Sequence, residues 1–153
     1  MNAETTNTTG DEVTPEQSAA FRSVAQDCIA LADGEPLAWA TTSTLAQRLH
    51  AARDTWGDNA PDSVMRLLSQ HESWEGASEA VEAAWIEVRA AGTVRDTLAA
   101  ADRLRARDFE FQNETEALGR VARAALAWLD AAAAAQRSRR LTRAQQNDSR
   151  KNQ

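Results

Sequence analysis

The stretch "ETEALGRVARAALAWLDAAAAAQRSRRLT", residues 114–142, carries the clearest helical pattern in the sequence. At 100° per residue its apolar side chains fall within one wide arc, and charged side chains lie opposite them. The arc comprises Leu118, Val121, Ala122, Ala125, Trp128, Leu129 and Ala132, and the charged side comprises Glu116, Arg120, Arg123 and Asp130. The pattern predicts a long amphipathic helix near the C-terminus.

The first helix has a well-marked start and end. Thr14 suits an N-cap, Pro15 suits the first turn, and Gln17 stands where a capping box needs Glu or Gln. We expect this helix to run to about Ala32, because the turn-forming residues "DGEP" follow at 33–36.

Glycines and prolines mark further breaks. A second helix is predicted as one continuous element over 37–56, ended by "GDNAPD" at 57–62. Gly76 and Gly92 predict the ends of a third and a fourth helix. The predicted inward positions on these two are Val64, Leu67, Leu68, His71 and Trp74, then Val81, Ala84, Trp85 and Val88.

A fifth helix is predicted to start at the cap Thr93. Its apolar stripe comprises Val94, Leu98, Ala101 and Leu104. "FEFQN" at 109–113 has local strand character, and Asn113 with Glu116 resembles another capping box, so we expect a kink or short break before the long last helix.

Together these elements predict an all-α protein: a compact bundle of about five to six helices with a long C-terminal helix. Residues 1–13 are polar and acidic without periodicity, which indicates a disordered tail. Residues 14–136 form a single helical domain, and residues 137–153 form a basic tail.

The composition predicts a thin core. Alanine supplies 33 of the 65 hydrophobic residues, and Leu, Ile, Val and Phe together number only 24 of 153. Five tryptophans add apolar area that the aliphatic count misses. Because thin cores are often completed by a second chain, we expect self-association or a protein partner.

The sequence lacks the features of secreted, membrane and metal proteins. Its lone cysteine, Cys28, can form no internal disulfide and offers no metal site, and its apolar neighbours predict burial. We expect no signal peptide, because the N-terminus is polar and acidic, and no apolar run approaches the roughly 20 residues of a membrane span. We expect a cytoplasmic protein that contacts no membrane and holds no cofactor or metal.

Charge is divided between the two parts of the chain. Residues 1–92 hold 15 acids and 5 bases, whereas residues 93–153 hold 8 acids and 12 bases. The segment "RSRRLTRAQQNDSRKNQ" at 137–153 alone holds six bases and one acid. Such tails bind phosphates or acidic protein surfaces, and arginines also complement the dipole at a helix end.

The segment "TLAQRLHAARDTW", residues 44–56, resembles the helix-turn-helix of GntR-like and MarR-like repressors. Leu45, Ala46 and Leu49 match the Leu-Ala-x-x-Leu of the first helix, and Arg53 would head the recognition helix. The resemblance implies DNA binding.

The same segment departs from that family at two positions. His50 stands where the turn has glycine, and Ala52 stands where the second helix needs a cap. A single continuous helix over 37–56 explains the same residues without these exceptions.

Two further stretches invite comparison. "SWEGASEAVEAAW" at 73–85 resembles the Trp-x-Gly turn of small helical hairpins exported by type VII secretion, although the chain has no tyrosine for their export signal. Arg66 and His71 have the Arg-x4-His spacing of HEPN-type ribonucleases, in which the histidine is a general acid or base. An ordinary turn with a packed Trp74, and a histidine at the edge of the core, account for both stretches.

No catalytic motif stands out elsewhere. The chain has no glycine-rich phosphate loop and no Cys/His cluster. Four acidic residues recur at helical spacing without a histidine at the three-residue spacing of carboxylate metal sites, so they indicate a solvated acidic face. They are Glu72, Glu75, Glu79 and Glu82.

We therefore expect a non-enzymatic, helical interaction or assembly protein, of the accessory, adaptor, inhibitor or scaffold type that bacteria and phages encode. The partner contact is predicted on the last helix, at Leu118, Val121, Trp128 and Leu129. The alternative is nucleic-acid binding, and its candidate residues are Arg137, Arg139, Arg140 and Arg143 in the tail, or Arg48 and Arg53 in the segment 44–56. A variant is that the acidic half mimics nucleic acid and binds a basic partner.

Overall fold

A computed structural model describes residues 12–152, and within them the chain forms helices and no strand. The helices are α1 Pro15–Ala32, α2 Trp39–Ser43, α3 Leu45–Asp54, α4 Asp62–Ala90 and α5 Val94–Lys151, with a 3-10 turn at Gly57–Asn59. The predicted all-α fold with a long C-terminal helix is confirmed.

Helix α1 begins and ends where the sequence predicts. The Thr14 side chain accepts from the Gln17 N–H at 3.1 Å, and the Gln17 side chain accepts from the Thr14 N–H at 2.9 Å, which completes the capping box. After Ala32 the chain turns at Gly34, whose φ of 76° suits glycine.

The N-terminal segment meets the bundle earlier than expected. Most of the predicted tail over 1–13 lies outside the described residues. Val13, however, is buried against the core, and its carbonyl accepts a hydrogen bond from Gln136 Nε2 at 3.1 Å. This residue therefore belongs to the bundle, and it fixes the start of α1 beside α5.

The helix predicted over 37–56 is not continuous. The backbone changes at Thr44, where φ is −102° and ψ is 0°, and α2 and α3 lie on either side. The Thr44 hydroxyl donates to the Ala40 carbonyl at 2.8 Å. This local bond offers the backbone an alternative to a regular helix, a known property of threonine. The predicted break after α3 is confirmed, since Gly57 has a φ of 62°.

Two predicted breaks are absent. Helix α4 runs through Gly76, and α5 runs through residues 109–113. A glycine inside a helix costs only about 1 kcal/mol relative to alanine, which tertiary packing easily offsets. Phe111 packs on Trp74 with ring centroids 5.7 Å apart, so the strand-like aromatic segment forms part of a helix interface.

Helices α1, α3, the first half of α4 and the middle of α5 enclose the core. Helix α1 runs antiparallel to α5, as its ion pairs show: Arg22 with Asp130 at 2.7 Å and Asp33 with Arg123 at 2.6 Å. The largest fully buried side chains are Phe21, Leu45, Leu49, Leu67, Leu118, Leu129 and His71.

Helix α5 is longer than this bundle and continues beyond it on both sides. Its 58 residues span about 87 Å at 1.5 Å per residue. On one side, residues 75–90 of α4 and 94–112 of α5 form a two-helix arm; on the other, residues 137–151 form a basic extension whose residues are all exposed.

Candidate functional site

The four residues predicted to bind a partner lie in or against the chain's own core. Leu118 and Leu129 are fully buried, and Val121 and Trp128 are partly buried against the core cluster. The ring centroids of Trp128 and Phe21 lie 6.2 Å apart. Leu118 and Leu129 therefore pack inside the chain's own bundle, while Val121 and Trp128 keep part of their surface exposed.

The helix-turn-helix that residues 44–56 resemble, the alternative to a continuous helix, is not formed. Helix α3 takes up Leu45–Asp54 as one element, and no second helix begins at Arg53. Arg48 Nη2 lies 2.7 Å from Asp27 Oδ2 and 3.0 Å from Ser23 Oγ, so this cation is engaged by α1. Arg53 Nε lies 3.5 Å from Asp54 Oδ1.

The arginines of the predicted basic tail share one exposed helix. Arg137, Arg139, Arg140 and Arg143 all lie on the extension, and none forms an ion pair with another described residue. They are available to an anionic partner in a way that Arg48 is not.

The Arg-x4-His pair does not form an open site. His71 is 1% exposed, its Nδ1 lies 3.3 Å from Glu75 Oε1, and its buried Nε2 has no partner among the described residues. Burial lowers the pKa of His71, while the carboxylates of Glu75 and Glu72 oppose that shift. Arg66 is exposed, but the imidazole of His71 is enclosed by the bundle and is almost fully shielded from solvent.

The arm exposes apolar side chains that the sequence pattern predicts to be buried. Trp85, predicted to face inward, is 48% exposed, and its neighbour Ile86 is 58% exposed. Val94 and Leu98, predicted to form part of a core stripe, are also largely exposed. Small residues form the seam of the arm instead, with Ala84 on α4 and Ala100 on α5 both buried.

A groove of about 410 Å³ lies along this arm. The residues that line this arm groove are Ser78, Val81, Glu82, Trp85, Ile86, Arg89 and Phe111. The Arg89 guanidinium lies 6.0 Å from the Trp85 ring centroid, within the range of a cation–π contact. The groove lining thus combines apolar and aromatic side chains with one carboxylate and one guanidinium group.

Carboxylates outnumber bases on the α4 side of the arm. Between residues 75 and 90, α4 carries four glutamates and one base, Arg89, and of these charged residues Glu82 and Arg89 line the arm groove. Glu79 and Glu82 stand seven and four residues before Ile86, so both share its helix face. No group of acidic, histidine or cysteine side chains in residues 12–152 has the arrangement of a metal site.

One feature of the sequence could have revealed the exposed surface. Trp85 and Ile86 are adjacent, and successive residues of a helix point about 100° apart. A narrow alanine seam cannot bury both, so at least one of these large side chains has to face away from α5.

The sequence and the fold were both compared with known proteins. No protein-family model, no curated protein and no solved structure matches this chain. Among residues 12–152, no helix combines the length and the apolar character that a membrane crossing requires.

Proposed function

We propose that the protein is a non-enzymatic helical interaction module and that its partner docks on the arm. The observation that carries the proposal is the pair Trp85 and Ile86, exposed at 48% and 58% beside a groove of about 410 Å³. Tryptophan is enriched among the residues that dominate binding energy at protein interfaces. The bundle supplies a fixed base, and the arm presents the contact.

The arm exposes apolar side chains whose burial by a partner would favour binding. Its fully buried residues are the alanines Ala84 and Ala100, so the large apolar side chains of the arm all keep part of their surface exposed to water. Exposed Val94, Leu98 and Phe109 add further apolar area around the arm. A docked partner would remove part of this area from water, which supplies the driving force for association.

Site-specific photocrosslinking in the cells that produce the protein tests this proposal. A photoreactive residue at Ile86 should give discrete crosslinked products, and Trp85→Ala in the same chain should weaken them. The matched control places the same residue at Arg105, which is exposed on the arm but does not line the groove. Equal crosslinking from both positions, or none from Ile86, would refute an arm-docked partner.

A second candidate function is nucleic-acid binding through the extension. It rests on the four exposed arginines there, which make no ion pair with described residues. Cations on a single projecting helix can follow a phosphate backbone, and each phosphate neutralised releases counterions. The acidic α4 side of the arm would repel the same ligand, so contact would be confined to the extension.

Fluorescence anisotropy with a labelled duplex and a labelled single strand tests the second candidate. Binding should fall steeply with salt, and truncation after Gln136 should abolish it. Arg105→Gln is the control, because it removes one arginine from the arm and none from the extension. Binding that survives the truncation would rule out the extension as the contact.

A further inference from the structure

The two ends of α5 carry surfaces of opposite charge. The α4 side of the arm, residues 75–90, holds four glutamates against one base, Arg89, and one of these glutamates, Glu87, pairs with Arg103. The extension over 137–151 holds five arginines and one lysine against a single acid, Asp148. These surfaces attract each other, and each is exposed.

The two surfaces cannot meet within one chain. Phe111 lines the arm groove, and Leu141 lies 30 residues further along the same unbroken helix, which places them about 45 Å apart. The bundle occupies the length of α5 between them. Any contact between the extension and an arm groove must therefore join two different molecules.

The shapes of the two surfaces also correspond. Leu141 is 65% exposed and is the large apolar side chain of the extension. Arg137 stands four residues before it and Ala144 three residues after it, so all three share one helix face. The arm groove offers the counterpart, since Trp85 and Ile86 line it with apolar surface and Glu82 lines it with a carboxylate, although Arg89 lines it as well.

We propose that the arm groove of one copy binds the extension of a second copy of this chain. Leu141 packs between Trp85 and Ile86, and Arg137 and Arg140 lie opposite Glu79 and Glu82. The inference rests on the arm as the docking surface and names its occupant. Each copy offers one groove and one extension, so the contact is heterologous and repeats into a ring or an open chain.

The physical chemistry predicts how this contact behaves. An isolated helix of about 15 residues is marginal in water, so the extension gains order when it docks. Exposed ion pairs contribute little affinity and are screened by salt. Their role is to orient the two molecules as they meet and to fix the register of the extension in the groove. Leu141 and the groove therefore set the affinity, and high salt weakens assembly without removing the apolar contact.

Sedimentation velocity on the purified full-length chain provides the test. At low salt the wild type should form species above 16.7 kDa that grow with concentration. Ile86→Glu blocks the groove and leaves the extension intact, while Leu141→Glu blocks the extension and leaves the groove intact. Each variant alone should sediment as a monomer, and an equimolar mixture should give a one-to-one dimer. Leu98→Glu, an exposed arm position outside the groove, should assemble like the wild type.

The other outcomes separate this inference from the proposed function. A contact between two arms would be abolished by Ile86→Glu and preserved in Leu141→Glu, and that result overturns the head-to-tail arrangement. A wild type that stays monomeric at every concentration also overturns it. Crosslinks from Ile86 to a different protein would then still support the arm as a docking surface, while their absence would remove the proposed function as well.

Discussion

Gly119 of α5 lies so close to Ala32 at the end of α1 that a Cβ atom on Gly119 would stand 2.9 Å from the Cβ of Ala32. That added atom would also lie 3.1 Å from Nη1 of Arg123. Arg123 Nη2 donates to both carboxylate oxygens of Asp33, at 2.6 and 2.9 Å. Because Gly119 has no Cβ atom, α1 and α5 approach closely enough for the ion pair between Asp33 and Arg123 to form beside their contact.

Gly119→Ala should lower the free energy of unfolding by about 1 kcal/mol. Overpacking of a tight contact costs about 1–3 kcal/mol, and alanine returns about 1 kcal/mol of helix propensity. The Ala32 Cβ is attached to backbone and cannot rotate away. Urea unfolding followed by circular dichroism measures the change.

Gly76→Ala is the matched control for this substitution. Gly76 also lies inside a helix, but a Cβ added there would have nothing within 4 Å. The substitution should raise the free energy of unfolding by up to about 1 kcal/mol. If both substitutions change the free energy of unfolding in the same direction, helix propensity and not the close approach to Ala32 governs both positions.

Much of the fold follows from local sequence chemistry. The capping box at Thr14, the cap at Thr93 and the break at Gly57 all stand where the residue types require them. These features depend on a few neighbouring residues. At Gly76 and at residues 109–113 the local sequence predicts breaks that the structure does not have, because packing between α4 and α5 keeps both helices continuous. That packing cannot be predicted from a few neighbouring residues.

The candidate site is less predictable than the fold. Helical periodicity shows that Trp85 and Leu129 both belong to apolar stripes, but it does not show which stripe has other helices around it. The middle of α5 is covered by α1, so Leu129 is buried, while the arm has only two helices and leaves Trp85 exposed. The length of α5 beyond the bundle decides this difference, and it becomes visible only in three dimensions.

Cys28 should resist thiol reagents until the protein unfolds. Burial, assisted by the Asp27 carboxylate and opposed by Arg48, raises the pKa of the Cys28 thiol to about 12, and the side chain is fully enclosed. Thiolate is the reactive form, so labelling at pH 8 should be slow in buffer and fast in denaturing urea. Fast labelling of the folded protein would show that α1 opens locally at this position.

His71 should make the protein less stable in acid. Burial lowers the pKa of its imidazole below the ordinary 6.5, despite Glu75 and Glu72 and with a small contribution from His50 in the same direction. Between the two pKa values the unfolded chain holds a proton that the folded protein lacks, so stability is complete above pH 6.5 and falls as the pH drops below it.

The variant His71→Leu isolates this effect from that of the carboxylates. The slope contributed by one histidine is at most about 1.4 kcal/mol per pH unit, and the leucine variant should lack it. Urea unfolding of both proteins between pH 5 and pH 8 gives the difference. If the difference in the free energy of unfolding between the wild type and His71→Leu stays constant with pH, the pKa of His71 is not lowered in the folded protein.

Leu129→Ala should lower the stability of the protein strongly and truncation after Gln136 should hardly change it, because the two changes fall on either side of the point where α5 leaves the bundle. Leu129 is 1% exposed within the core, so its truncation to alanine should cost about 2–5 kcal/mol. Residues 137–152 are exposed, so removing them should change the free energy of unfolding by no more than about 0.5 kcal/mol, while Gln136 keeps its bond to Val13. Urea unfolding of monomeric protein at high salt compares them. A large loss on truncation would show that the extension packs on its own bundle, and it could then not be free to bind a second copy.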